Sequence, residues 1–249
     1  MAFFIRKINK KLISPIIMMI IIGALLVAST LAWLSHNTAA GVTGMKVSVT
    51  DERITLGDTL TVTRSLSARV TTQIYKCEGD DNYYYLFEDG AFATDGEGNR
   101  IPFYISGLLP GETVDVTFTY TCTDSLIGKG ISARLTDISS DTFTEIDHPD
   151  VEHSVLGVYK YAAMKDGVFG EGEWLVDYVS GTADDIPGSV SLFENSVWAK
   201  VSETPEDNYV SASFRFDFDL EQYYTLRTAT NQLSEKSFVI GELRIEVTE

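Results

Sequence analysis

From Thr113 to Thr123 the chain alternates without a break. Val114, Val116, Phe118, Tyr120 and Cys122 share one parity, while threonines and Asp115 hold the other. Successive side chains of a strand point to opposite faces, so this run predicts a half-buried β-strand. Val210 to Leu220 repeats the pattern, with Val210, Ala212, Phe214, Phe216, Phe218 and Leu220 inward and Ser211, Ser213, Arg215, Asp217 and Asp219 outward. Shorter runs at 46–49, 59–62, 70–77, 82–87, 101–105, 155–164, 173–179, 190–192, 197–201 and 238–247 read as further strands. Ile131 to Leu135 is read as a pairing partner of the Thr113 strand. Gly57-Asp58 and Asp95 to Asn99 are read as turns, and Pro110-Gly111 fits positions two and three of a type II turn. A polar stretch from Ser139 to His153 reads as a linker, and Leu220 to Leu233 has room for a short helix. Many short strands between turn signals predict an all-β fold, an antiparallel β-sandwich of the jelly-roll or Ig-like sort. The linker leaves one sandwich or two open.

The first forty-odd residues follow another rule. Arg6, Lys7, Lys10 and Lys11 open the chain, and no acidic residue precedes Asp51. Ile16 to Leu34 carries no charge, and as a helix these roughly 19 residues span about 28 Å, close to a bilayer's hydrocarbon thickness. Basic residues before such a run hold the N-terminus in the cytoplasm, so everything after it faces outward. The expected organisation is a signal peptide or signal anchor over 1–32, forming a hydrophobic helix, an extended segment over 33–45, and an extracellular sandwich over 46–249. Thr30 and Ala32 stand where a signal peptidase wants small residues, which puts a cut between Ala32 and Trp33. The apolar run is longer than an ordinary secretory signal, so a retained membrane anchor stays open.

Thr30-Leu31-Ala32-Trp33-Leu34-Ser35-His36-Asn37, followed by Gly44-Met45-Lys46-Val47, resembles the export segment of the TasA/camelysin group. Those are surface and biofilm-matrix proteins of Gram-positive bacteria, cut by a dedicated signal peptidase of the SipW type. In this chain Leu34 replaces the second aromatic of the group's pattern and His36 replaces its acidic residue. The resemblance covers residues 1–50. It implies a chain located at the cell surface or secreted, whose freed segment from Trp33, anchored by Trp33 and Leu34, adds as a strand to a neighbouring subunit. The partners it implies are the chain itself, other surface or matrix proteins, and the signal peptidase.

Charge narrows the choice. Removing residues 1–32 takes four of the 19 basic residues and none of the 36 acidic ones, so the net charge moves from −17 to about −21. Such a body does not suit nucleic acid or anionic lipid, which need basic patches. Two cysteines, Cys77 and Cys122, fall in the exported part, where a disulfide is permitted. A bond between them would close a loop of about 45 residues and constrain the unfolded chain by roughly 4 kcal/mol. Two buried free thiols are the alternative.

No motif carries chemistry with conviction. His148 and His153 lie in Asp147-His148-Pro149-Asp150-Val151-Glu152-His153, but Pro149 forbids the helical spacing that would align them, and a solvated loop is expected. There is no HExxH for a metalloprotease, although camelysin-like proteins have been described as such. Asp95, Glu97 and Asn99 mimic a calcium loop, yet the sixth and twelfth positions are Arg100 and Ser106, so a hairpin tip is expected. Asp217, Asp219 and Glu221 form an acidic row. Tyr83-Tyr84-Tyr85 and Tyr223-Tyr224 offer an aromatic platform or simple cross-strand packing. Catalytic residues, metal ligands and cofactors are expected to be none. The expectation is a non-catalytic surface or matrix protein, a fibre subunit by resemblance; a monomeric module for polysaccharide or a divalent cation is the alternative.

Overall fold

The computed structural model describes residues 45–248 apart from 79–82, 107–108, 146, 166, 177–184, 201, 203, 205–207 and 226–235. The expected leader helix, the cleavage site at Ala32 and Trp33, and the anchors Trp33 and Leu34 lie outside the described residues. Among the described residues no helix is long and apolar enough to cross a membrane. The chain forms β1 (Lys46–Val49), β2 (Ile54–Leu66), β3 (Arg69–Cys77), β4 (Tyr84–Glu88) and β5 (Ala91–Phe92). Next come β6 (Ile105–Ser106), β7 (Thr113–Cys122), β8 (Gly130–Ser140), β9 (Thr142–Thr144), β10 (Glu152–Ser154) and β11 (Tyr159–Lys165). β12 (Val168–Phe169), β13 (Glu173–Trp174), β14 (Ser189–Val197), β15 (Val210–Phe218), helix α1 (Leu220–Thr225) and β16 (Ser237–Thr248) follow.

The fold is all-β. One sheet runs β1-β16-β8-β14, with β6 also on β16; the other runs β12-β11-β15-β7-β2-β3-β4-β5, with β13 on β11; β9 and β10 form a small hairpin. Pairing is antiparallel throughout except between β1 and β16, which run parallel. Alternation decides which faces meet. Val114, Val116, Phe118 and Tyr120 of β7 are at most 3% exposed, and β15 places Phe214, Phe216 and Phe218 beside them. From the opposite sheet come Ile131, Ala133 and Leu135 of β8 and Phe238, Leu243 and Ile245 of β16. Rings close the gap between layers: Phe216 meets Phe238 at 5.1 Å, Tyr159 meets Phe238 at 5.3 Å, and Tyr120 stacks on Phe193 at 6.1 Å.

Several expectations need correction. Gly57-Asp58 is a bulge inside β2: Leu56 pairs with Tyr120 but Leu60 with Phe118, so four steps on β2 meet two on β7. Ile131 to Leu135 belongs to the opposite sheet, between β16 and β14, and packs face to face against β7 instead of pairing with it. The stretch from Ser139 to His153 is no linker; it finishes β8 and builds the β9–β10 hairpin, which returns directly to the common core. Residues 189–197 form one strand, β14, longer than the expected run at 190–192 and carrying two register irregularities; of the strand expected at 197–201 only Val197 is in a strand, and 198–200 are irregular. The turn at Leu109-Pro110-Gly111-Glu112 is as expected, with Gly111 at φ 80° and the Glu112 N–H donating to the Leu109 carbonyl at 3.0 Å.

Candidate functional site

The two histidines part company. His148 is exposed, but His153 is fully buried, its Nε2 2.8 Å from Glu145 Oε1 and its ring against Phe143. The pair ties β10 to the end of β9, which corrects the expectation of a solvated loop. Asp95 does organise a tip: its Oδ1 accepts the Glu97 and Asn99 backbone N–H groups at 2.9 and 2.8 Å. That is an Asx turn closing a hairpin, with its acceptor already engaged. Among the described residues no group of three or more His, Cys, Asp or Glu side chains is placed to hold a metal.

The acidic row does not share one strand: Asp217 lies on β15, Asp219 follows its end and Glu221 falls in α1, which corrects the expectation of a single strand face. Arg215 reaches across to Asp115 with two bonds of 2.6 and 2.8 Å, and its guanidinium lies 4.0 Å over the Phe169 ring. Lys160 bonds Asp219 at 2.6 Å and sits over Trp174. Asp217, between them, is pushed above its ordinary value by burial, with Asp219 and Asp115 adding to the push. Burial pushes Asp219 the same way, but the Gln222 N–H at 2.8 Å and the Lys160 ammonium win and hold its carboxyl below the usual range. A depressed folded-state acid adds stability above its unfolded pKa, about 3.9, and loses it as pH falls through the lower folded value. Asp219→Asn should therefore lower the urea midpoint at pH 7, and the gap to the parent should narrow at pH 3.

The tyrosines divide between core and surface. Tyr84 is buried and donates its hydroxyl to the Gly57 carbonyl at 2.7 Å, and Tyr223 is buried against Phe218. Tyr85 keeps an outer position, where Arg100 lies over Phe92 at 4.2 Å and Lys76 over Phe87 at 4.6 Å. These cations lie over the Phe92 and Phe87 rings, while Tyr224 is 70% exposed. Cys77 and Cys122 are both half-buried and form no disulfide. Their strands, β3 and β7, flank β2, a lateral separation of about 9.5 Å, and Cys122 pairs with Ile54 while Lys76 pairs with Thr59, so the two cysteines are offset along the strands as well. A disulfide needs its Cα atoms within about 7 Å. Burial pushes the Cys122 thiol up to about 11, with Asp51 adding to it, so it stays protonated at neutral pH.

What remains is an edge and a cleft. β1 pairs with β16 on one side; on the other, among the described residues, Lys46 bridges to Tyr83 and the preceding Met45 N–H donates to the Phe103 carbonyl. Beside Val49 an open cleft of about 400 Å³ is lined by Ile54 to Asp58, Cys77 and Tyr84. The bulge shapes it, and Gly57 permits the bulge: a Cβ there would stand 2.0 Å from Thr119 Oγ1. Sequence reasoning missed this feature, and its signal was a glycine inside otherwise continuous alternation. It also missed the Arg64–Glu112 pair, since the two residues are far apart in the chain and belong to no motif.

These observations define the class: an all-β protein of two facing sheets. No family model, characterised protein or solved structure matches the chain.

Proposed function

We propose that this is a non-catalytic, exported protein of the cell surface or extracellular matrix, a fibre subunit that assembles by strand addition. The observation that carries the reading is the position of β1. It is the terminal strand of its sheet. On this reading the segment before it, freed by cleavage between Ala32 and Trp33, would run out as a strand and pair with an open edge of the next copy. Trp33 and Leu34 would supply its apolar anchors. Head-to-tail contacts of this kind propagate instead of closing, which makes filaments. The resemblance of residues 1–50 to the TasA/camelysin group points the same way, and so does an acidic surface suited to solubility outside the cell.

On this reading residues 1–32 form a hydrophobic helix that either is cut away by a signal peptidase or keeps the protein on the membrane. The body, from residue 46, is a sandwich of the jelly-roll or Ig-like sort, and its partners are further copies of itself or other matrix proteins. Trp33→Ser in the secreted chain is expected to abolish filaments in negative-stain electron microscopy while the circular dichroism of the body is unchanged. Filaments of normal length and number from that variant would refute strand donation.

A further inference from the structure

We propose that the free edge of β3 is a self-docking site, at which two copies of this chain pair antiparallel about a two-fold axis through Val70. β3 pairs with β2 over Arg69 to Lys76, but β4 covers it only over Ile74 to Cys77. β4 ends at Glu88, one step past the Ile74–Phe87 pair, so Glu88 stands beside Gln73. Arg69, Val70, Thr71 and Thr72 therefore have no second neighbour strand among the described residues. All four are exposed on both faces of the sheet, Val70 by 61%, and Ile74, next but one on the same face, by 42%. A bare row of backbone N–H and C=O groups is a template for another strand. Proteins blunt such edges with proline, a bulge or an inward charge; this segment has no proline, runs in unbroken register with β2, and carries only Arg69.

The occupant that fits is a second copy. With Val70 facing Val70 across the axis, Arg69 lies opposite Thr71, three residues pair on each side, and two exposed valines are covered together. The position opposite Thr72 is left for the other copy's Ser67-Ala68 turn, where Ser67 already adopts φ 53°. Beyond that turn, in line with the incoming strand, stands the other copy's Glu88. Arg69 and Glu88 are both exposed and neither has an ion pair within its own chain among the described residues. The two-fold axis brings them together twice, joining opposite charges across a rim of a strongly acidic protein. Such an isologous contact closes on itself, so it makes a dimer instead of a filament. It uses no residue of the leader.

The test takes the full-length chain in a mild detergent, with the leader common to all variants. Val70→Cys and Thr72→Cys are oxidised gently and run on non-reducing gels beside the unsubstituted chain. Val70→Cys should give a covalent dimer, because facing Cα atoms in an antiparallel pair lie about 4.5–5.5 Å apart. Thr72→Cys should give no more dimer than the parent, since in this register the two Thr72 positions are about 14 Å apart. By sedimentation, Arg69→Glu should weaken the dimer about tenfold or more, and the swap Arg69→Glu/Glu88→Arg should restore it. Equal cross-linking of both cysteine variants, cross-linking of neither, or a swap that fails to recover would overturn the proposal. Trp33→Ser leaves this contact intact, so failure of the dimer and failure of fibre assembly are read from different variants.

Discussion

Phe216→Ala should destabilise the body by about 3–5 kcal/mol, the range for emptying a large aromatic site in a packed core. Phe216 is 1% exposed and sits where the two layers meet, 5.6 Å from Phe214 on its own strand and 5.1 Å from Phe238 on the opposite sheet. Its strand neighbours are Val114 of β7 and Tyr161 of β11, both held in register by backbone bonds. None of these can collapse into the space without breaking a ladder, so most of the cavity remains. Equilibrium urea denaturation followed by circular dichroism reads the change. Tyr224→Ala, at a ring that is 70% exposed, should move the midpoint little. Phe216→Ala and Phe238→Ala together should cost less than their sum, because each removes the same inter-layer contact. Additive losses would mean that the two rings do not share a site.

The strands that set up this contact were readable because their signal is local and strict. β7 and β15 alternate over nine or more residues, and alternation with period two has no competing interpretation as a helix. Failures came where the period breaks. β2 takes in two extra residues through Gly57 while Ile54, Leu60 and Val62 keep one parity, β14 breaks at two irregularities, and β16 changes phase through Gly241 opposite Asp137, where both strands switch the parity they bury. At Gly241 a Cβ would come within 2.6 Å of Asp137 Cβ, and Asp137 itself sits at φ 54°. A bulge changes which residues face the core without changing composition, so a pattern reader sees a turn or a chain break. Strand order was still less accessible. Nothing within Ile131 to Leu135 says that it joins β16 instead of β7, because that choice belongs to the whole sheet.

The candidate residues show the same division. Pro149 and the acidic residues around His153 read as a solvated loop, and no local cue reports that Glu145 stands across the hairpin. Of the acidic row only Asp217 lies on the outer face of β15, because the strand ends at Phe218 and Glu221 falls in α1. Lys160, the partner of Asp219, comes from a strand 59 positions away, and Arg215 is engaged by Asp115, 100 positions away. Residue type and parity carry the face of a side chain; only the register carries its partner.

That register makes one ion pair expensive to break. Glu112→Ala should lower stability by about 3–5 kcal/mol, the cost of leaving one half of a buried pair behind. Glu112 is 1% exposed, accepts Arg64 Nη2 and Nε at 2.6 and 3.1 Å, and takes the Leu109 N–H at 3.0 Å on the same oxygen as Nη2. Its backbone carbonyl also accepts the Phe218 N–H, so the residue ties the Pro110-Gly111 turn to β15 through its backbone and to β2 through its side chain. A quarter of the Arg64 side chain reaches water, which places the loss toward the lower end of that range. Arg64→Met combined with Glu112→Leu should recover part of it, because two apolar groups strand no charge, although the Leu109 N–H still loses its acceptor. Tyr159 gives the contrast. It is fully buried beside this pair, its hydroxyl has no partner among the described residues, and burial, with the Glu112 charge adding, pushes its ionisation well above the ordinary value. Tyr159→Phe should therefore leave the urea midpoint unchanged or raise it, whereas a loss as large as that of Glu112→Ala would mean that the hydroxyl holds the pair in place.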